Sequence, residues 1–216
     1  IQCLNNEKQF GLGSQMYSDD DSHGFLTGPM MYTPLPSIAA NVMQSCDDMN
    51  WLYPNYIKAL GSFICPSTHN YISNTKPSDF LVNGGLHDLF YHAGPKQAQT
   101  ADNNNLEGHS YEQFNCWYDT PTFTRKSTKT INTYRNKNEV SSGGPAKIDL
   151  IIDQMEPHGP GTYNNYPNQW NNHGAAGGNV VFCDGHASWI PRLKWKPMIC
   201  IGDDYPSNWG GFPPGW

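Results

Sequence analysis

Charged residues are scarce in this chain. Asp, Glu, Lys and Arg make up 15% of its 216 residues, and the formal net charge is −6. Nucleic acids and anionic membrane surfaces attract proteins through clustered positive charge. We therefore expect neither of them to be a partner.

Long hydrophobic runs are also missing. No stretch is apolar for long enough to form a transmembrane helix, and no signal peptide is present, so we expect no membrane segment in this chain. The chain opens with Ile1 instead of Met. We therefore expect residue 1 to be a cut end, with an upstream segment cleaved, deleted or unresolved.

The recognised motifs of catalysis are absent. The sequence has no Ser-centred nucleophile elbow, no His-Glu-x-x-His and no phosphate-binding loop. None of its cysteines lies in a nucleophile motif or in a Cys-x-x-Cys pair, which argues against a zinc ribbon or a thioredoxin-like site. The sequence thus predicts a protein that is not an enzyme.

Cysteine is present in an even number, without close spacing. The six are Cys3, Cys46, Cys65, Cys116, Cys183 and Cys200. An even count in a turn-rich chain favours disulfides and a compartment outside the cytoplasm. Because six cysteines allow fifteen complete pairings, spacing alone does not choose among them.

Turn-forming and aromatic residues are abundant. The chain contains 21 Gly and 17 Pro, and 13% of its residues are aromatic, whereas Leu and Ala are few. This composition favours strands and long ordered loops over a helical bundle. We expect one α+β domain spanning 1–216, with the Gly- and Pro-rich tail 201–216 extended over another surface or hanging free.

The one convincing helix lies at the beginning of the chain. Over residues 1–20, Cys3, Phe10 and Tyr17 recur every seven residues, and Leu12 and Met16 are four apart, as on one helical face. We expect this helix to pack on a sheet.

An acidic cluster ends the predicted helix. Asp19 and Asp21 alternate before Gly24, as in the first half of a calcium loop, but Met30 occupies the position that a Glu holds in an EF-hand. No EF-hand is expected. The two carboxylates remain candidate ligands of a looser calcium site, and calcium is the only cofactor that the sequence suggests.

A β-hairpin is predicted near the C-terminal end. Asp184-Gly185, between the alternating runs 179–183 and 186–190, favours a two-residue type I′ turn. The predicted pairs are Cys183 with His186, Phe182 with Ala187, and Val180 with Trp189. A further buried strand is predicted over 147–153.

His173, Asp184 and His186 also suggest a metal-dependent hydrolase, because imidazole and carboxylate can share a proton or bind a metal. Structural roles are favoured for all three residues. Asp184 belongs to the hairpin turn with Gly185, and His186 is its cross-strand neighbour. The ring of His173 is expected to brace the Gly-rich segment 174–178 by a hydrogen bond to the backbone.

Three parts of the sequence together resemble the family of prepilin-type proteins that carry the H-X9-DG motif. They are residues 3–20, the Cys65-Pro66 element within 63–67, and the signature 173–186 with the strand 150–153 ahead of it. Ten residues, where the family has nine, separate His173 from Asp184. The hydrophobic N-terminal helix of the family is missing as well, so we expect it to precede residue 1 or to be dispensable.

The resemblance implies a pilin- or pseudopilin-like fold, in which the end of a long helix packs on an antiparallel sheet. It also implies a disulfide between Cys3 and Cys65. In function, it implies an exported, non-catalytic structural subunit of a pilus-like or type II secretion-like assembly. Such a subunit would be extracellular or at the cell surface, and its partners would be copies of itself or other pilin-like subunits.

A second hypothesis comes from the aromatic surplus. The chain has seven Trp and twelve Tyr, which could line a groove for a polysaccharide. The chain would then be a secreted binding module that uses surface aromatics, with or without calcium.

Overall fold

The computed structural model describes residues 1–28, 48–74, 85–90, 107–117, 124–133, 144–153, 166–168, 171–195 and 198. Its helices are α1 (Gln2–Asp20), α2 (His87–Phe90) and α3 (Thr130–Thr133). Its strands are β1 (Glu112–Gln113), β2 (Asp149–Ile152), β3 (Gly177–Phe182) and β4 (Ala187–Pro191). Short 3₁₀ helices occupy Leu60–Phe63, Pro145–Lys147 and Gly174–Ala176.

The predicted N-terminal helix is confirmed. α1 ends where Asp21 leaves the helical conformation while its backbone N–H still donates to the carbonyl of Tyr17. The side chain of Asp21 then accepts hydrogen bonds from the backbone N–H groups of His23 and Phe25, at 2.9 and 3.1 Å. An aspartate that binds backbone donors two and four residues ahead stabilises the turn that ends the helix.

The buried face of α1 differs in part from the prediction. Cys3 and Phe10 are buried as expected, but Leu12 and Met16 are 62% and 45% exposed. Small and polar residues take their place: the buried residues of the helix are Cys3, Asn6, Glu7, Phe10, Gly11, Gly13, Ser14 and Ser18. Because Gly11, Gly13 and Ser14 have no side chain or a short one, the helix axis can approach its neighbours closely at these positions.

The sheet is antiparallel, with the strands in the order β1-β2-β3-β4. The strand predicted over 147–153 is confirmed as β2, in which all residues are buried. Its pairing with β3 is irregular between Asp149 and Ile151. The α+β class and the packing of the helix on an antiparallel sheet are thus both observed.

The hairpin forms, but its predicted register is wrong by one residue. Val181 lies opposite Ala187, and Asn179 lies opposite Trp189. Phe182 N–H donates to His186 O at 2.9 Å, and Gly185 N–H donates to Phe182 O at 2.8 Å. Three residues therefore form the loop, and Gly185, the last of them, has a positive φ, +87°. A three-residue loop that ends in a left-handed glycine is the next commonest hairpin connection after the two-residue turns.

This shift of register moves each β4 side chain to the opposite face relative to the side chains of β3, because side chains alternate along a strand. Val181 faces α1 and joins the larger core with Phe10 and Ile151. Val180 and Phe182 face the other way and join a second cluster with Trp195. Since apolar side chains cover both faces of β3, every residue in this strand is buried.

Two further predictions concern the C-terminal tail and membrane-spanning segments. The tail 201–216 lies outside the described residues. Within the part of the chain that the structure describes, no helix combines the length and the apolar character needed to cross a bilayer.

Candidate functional site

Four side chains that can bind metals or exchange protons meet at one end of the sheet. Cys3 comes from the first turn of α1, and Cys65 follows the 3₁₀ helix Leu60–Phe63. Asp153 directly follows β2, and His173 precedes the 3₁₀ helix that leads into β3. One donor atom from each of the four lies within 4.8 Å of the others. We call these four residues the quartet.

The Nε2 atom of His173 lies at the centre of the quartet. It is 2.7 Å from Asp153 Oδ2 and 3.6 Å from Cys65 Sγ. Cys3 Sγ in turn donates to the same Asp153 oxygen at 3.1 Å. Cys3 and the imidazole of His173 therefore share one carboxylate oxygen, and Cys65 approaches the same ring nitrogen of His173.

Asn179, at the third position of β3, holds Asp153 in place. Its backbone N–H donates to Asp153 Oδ1 at 2.8 Å, and its side-chain amide donates to Oδ2 at 2.5 Å. Asp153 is completely buried. Its side-chain partners among the described residues are Cys3, His173 and Asn179, with no lysine or arginine among them. The carboxylate is thus fixed by hydrogen bonds and by one imidazole.

Outer contacts fix the other members. The Nδ1 atom of His173 lies 3.5 Å from Ser67 Oγ, and its ring meets Trp189 edge to face with centroids 5.5 Å apart. Cys3 Sγ lies 3.4 Å from the hydroxyl of Tyr111, which accepts a hydrogen bond from the amide of Asn6 at 3.2 Å. The quartet is therefore a preorganised cluster.

The quartet shifts the pKa values of its members. A hydrogen-bonding interaction with the neighbouring Cys3 lowers the pKa of Cys65 to about 5, and His173 acts in the same direction. The same interaction, together with burial and the charge of Asp153, raises the pKa of Cys3. Burial opposes a charge on His173, but hydrogen bonds to Asp153 and Cys65 outweigh it and raise its pKa to about 10. These shifts favour the thiolate form of Cys65 and the imidazolium form of His173 near neutral pH.

Glu7 adds a second buried carboxyl close to the quartet. It is completely buried, and neither of its carboxyl oxygens has a hydrogen-bond partner among the described residues. Burial, with smaller effects from the charges of Asp153 and Cys65, raises its pKa well above the usual value. A buried carboxyl without a partner stays protonated over a wide range of pH, since the charged form has lost its solvation.

The geometry does not match a Cys-His-Asp catalytic triad. In a triad one ring nitrogen meets the nucleophile and the other meets the carboxylate. Here Cys65 and Asp153 both approach Nε2, while Nδ1 faces Ser67. Convergence on one point is the arrangement that metal ligands need, and two neighbouring thiols are also what a disulfide needs.

The hydrolase site suggested by His173, Asp184 and His186 does not form. Asp184 and His186 pair with each other at the hairpin turn, where His186 Nδ1 lies 2.5 Å from Asp184 Oδ1. His173 lies beyond the opposite end of β3, about 17 Å away at the usual rise of a strand. The predicted structural roles of Asp184 and Gly185 in the turn are observed, but His173 contacts side chains instead of bracing the loop through its backbone.

The calcium candidates lie at the other end of α1. Asp19 is exposed, and Asp21 is engaged by backbone N–H groups of its own turn. In the described ranges the quartet is the only group of three or more His, Cys, Asp or Glu side chains that could hold a metal ion. The calcium site therefore stays a prediction.

The structure places Cys3 beside Cys65, the pair implied by the family resemblance, but both are free thiols. Cys116 and Cys183 are also buried. Cys46 and Cys200 lie outside the described residues. The disulfide between Cys3 and Cys65 stays a prediction. The structure adds that His173 and Asp153 lie beside this pair of cysteines.

Asp153 and Asn179 are the site residues that the sequence did not reveal. Asp153 ends a buried apolar strand, and a polar residue there is usually the start of a loop. An aspartate that is completely buried needs partners from elsewhere in the fold. No spacing rule brings it to His173, since the sequence between them has no regular period.

No protein-family model, curated protein or solved structure matches this chain. Membership of the prepilin-type family therefore stays a prediction, and the function has to be inferred from the chain's own residues.

Proposed function

We propose that this chain is an exported structural subunit, without catalytic activity, that associates with copies of itself in a pilus-like or secretion-like assembly at the cell surface. The observation that carries the proposal is the arrangement of α1. One face of this helix packs on the sheet, while Leu12 and Met16 on another part of it are exposed.

The exposed pair supplies a contact surface of the kind that a subunit needs. Leu12 and Met16 are one helical turn apart, so their side chains are neighbours on the surface of α1. Large apolar side chains grouped in this way favour association with another apolar surface. A second copy of the chain is the proposed occupant. In a filament the patch would meet a different surface of the next copy, because only such a head-to-tail contact continues without closing.

The quartet supports a structural role over a catalytic one. Cys3, Cys65 and Asp153 are buried, and only 19% of the side chain of His173 is exposed. A substrate would have to displace packed side chains to reach the sulfurs. The quartet instead joins the first turn of α1 to the ends of β2 and β3. This suits a structural subunit, in which α1 has to stay packed against the sheet.

The test is assembly of the full-length natural protein, followed by electron microscopy and analytical ultracentrifugation. We expect filaments or other ordered assemblies from the wild type. Leu12→Glu should shift the protein towards monomers with an unchanged unfolding transition. Leu193→Glu is the matched control, because Leu193 is an apolar residue that is 79% exposed at a different place.

Two results would overturn the proposal. One is a full-length protein that stays monomeric at every concentration and forms no assembly in the cell envelope. The other is assembly that survives Leu12→Glu and is lost with Leu193→Glu, which would remove α1 from the contact.

The alternative, a polysaccharide-binding module, has less support from the described aromatic residues. Trp117, Trp195, Tyr111 and Tyr166 are buried in the core, whereas Tyr71 and Trp189 are the exposed large aromatics of the described ranges. Trp189 also packs against His173. Binding on a glycan array that is lost with Trp189→Ala or Tyr71→Ala would favour this alternative.

A further inference from the structure

We propose that Cys3, Cys65, Asp153 and His173 together bind one zinc ion. This ion links α1 to the ends of β2 and β3. The proposal is independent of the assembly proposed above, since it concerns the interior of a single chain. It rests on the donor set, the spacing of the donors, their outer hydrogen bonds and their burial.

The donor set suits zinc. Thiolate, imidazole and carboxylate are the groups that bind Zn²⁺ in proteins, and structural sites have four of them in a tetrahedron. Calcium and magnesium prefer oxygen ligands and would find only one carboxylate here. Two thiolates with an imidazole thus select a borderline-soft ion such as zinc.

The spacing fits a tetrahedral site. With zinc–ligand distances of about 2.0–2.3 Å, neighbouring ligand atoms are about 3.3–3.8 Å apart. The four donor atoms all lie within 4.8 Å of one another. Cys65 Sγ is 3.6 Å from His173 Nε2, and Cys3 Sγ is 3.1 Å from Asp153 Oδ2. The imidazole and carboxylate, 2.7 Å apart, would separate by about half an ångström when the ion replaces the proton between them.

The outer contacts are those that orient metal ligands. A zinc-bound histidine commonly donates its second ring nitrogen to an outer group, and ligating carboxylates are themselves hydrogen-bonded. The second nitrogen of His173 faces Ser67, and the second oxygen of Asp153 accepts the backbone N–H of Asn179. The hydroxyl of Tyr111 lies against Cys3 Sγ. Three of the four donors therefore already have an outer partner.

The charges of the bound state suit a divalent cation. Neither lysine nor arginine pairs with Asp153 among the described residues. Once both thiols are deprotonated, the two thiolates and the carboxylate would carry three negative charges, and a divalent ion reduces that total to one. In the binding step Zn²⁺ displaces the thiol proton of Cys3 and the Nε2 proton of His173, and both protons pass to solvent.

Burial indicates a structural site. Structural zinc sites are closed by four protein ligands, whereas catalytic sites keep one position for water or substrate. The quartet supplies four ligands, and three of them are buried. The ion would join segments that are far apart in the sequence, since Cys3 is 150 residues from Asp153 and Cys65 is 108 residues from His173.

The test uses the full chain, purified under reducing conditions with and without added zinc. Elemental analysis should find one zinc per chain. Substitution with Co²⁺ should give the charge-transfer absorption of thiolate ligation together with the visible bands of a tetrahedral ion. Cys65→Ser and His173→Ala should lose stoichiometric metal and weaken binding at least tenfold. Cys183→Ser and His186→Ala are the matched controls, because each removes the same kind of side chain outside the quartet.

Since the ligand variants could fail to fold, the cobalt spectrum of the wild type stands as a second, independent measurement. A reduced wild-type chain that takes up no stoichiometric zinc and gives no tetrahedral cobalt spectrum overturns the proposal. So does a Cys3–Cys65 disulfide in the protein as isolated from its natural source, because oxidised sulfurs cannot ligate the ion. Metal that is retained by both ligand variants also overturns it.

Discussion

Gly11 of α1 lies directly against the backbone of Gly185 in the loop between β3 and β4. A Cβ atom on Gly11 would collide with the carbonyl oxygen of Gly185 and would be 2.8 Å from its carbonyl carbon. The helix and the hairpin thus meet backbone to backbone. This close approach links the two parts of the chain that have the clearest sequence signatures.

Gly11→Ala should destabilise the protein by about 1–3 kcal/mol, because overpacking against rigid backbone outweighs the gain in helix propensity. Gly13→Ala is the matched control in the same helix. Its new Cβ would meet Leu52 Cδ2 at 2.7 Å, and this flexible side chain can move. We expect Gly13→Ala to lie within about 1 kcal/mol of the wild type. Urea unfolding of both variants measures the difference, and equal effects would contradict the close approach at Gly11.

Gly185→Ala should also destabilise the protein, by more than Gly174→Ala. Both glycines have a positive φ, +87° and +67°, so each substitution costs about 1–2 kcal/mol of backbone strain. A Cβ on Gly185 would in addition lie 3.0 Å from Gln15 Cγ and 3.3 Å from Gly11 O, whereas a Cβ on Gly174 would meet no atom of the described residues within 4 Å. Thermal unfolding of the two variants separates strain from crowding. If Gly174→Ala were the more harmful change, the hairpin loop would not pack on α1 as described.

Glu7→Gln should make the stability less dependent on pH. The pKa of Glu7 is raised by burial, so the folded protein binds this proton more tightly than the unfolded chain does. The contribution of Glu7 is then fully present below the unfolded pKa of about 4.3 and is lost as the pH rises towards the folded pKa. The free energy of unfolding should fall by up to about 1.4 kcal/mol per pH unit across that window.

The measurement is urea unfolding of the wild type and Glu7→Gln from pH 4 to pH 8. The two proteins should be similar at pH 4, and the variant should become the more stable one as the pH rises. Glu107→Gln, which removes a half-exposed carboxyl, should leave the pH dependence close to that of the wild type. A constant difference between the wild type and Glu7→Gln at every pH would argue against a buried, protonated Glu7.

Asn179→Ala should destabilise the protein by about 1.5–3 kcal/mol, because it removes a hydrogen bond to the buried carboxylate of Asp153. The backbone N–H of residue 179 would still bind Asp153, so the fold should persist. Asn132→Ala is the control: Asn132 is exposed, so its substitution should change the free energy of unfolding by less than about 0.5 kcal/mol. Chemical unfolding at pH 7 gives both values. A loss no larger than that of the control would mean that Asp153 does not depend on Asn179.

Sequence periodicity located the main elements but not the faces they bury. The helix, β2 and the hairpin were all predictable, since their patterns are local. The pattern of α1 put Leu12 and Met16 on the inner face, yet small residues take that place, because the helix packs against the backbone of Gly185. The register of the hairpin was wrong by one residue because Asp-Gly fits both a two-residue turn and a three-residue loop.

Three of the four quartet residues could be anticipated, although not as one site. Cys3 and Cys65 were paired through the family resemblance. His173 was identified as the residue directly before the Gly-rich segment 174–178. Asp153 was missed, and Asp184 and His186 were considered as partners of His173 in its place. Residues close in sequence are the natural candidates for a shared site, but an extended strand carries its two ends far apart.

The sequence by itself determined the α+β class, the N-terminal helix, the apolar β2 strand and the presence of a hairpin at Asp184-Gly185. These features follow from the alternation of apolar and polar residues and from turn chemistry, which act over a few residues. Only the tertiary structure decided that His173 meets Asp153, Cys3 and Cys65 instead of Asp184. That contact depends on how the first turn of α1 docks on the ends of β2 and β3, and docking is set by packing between distant segments.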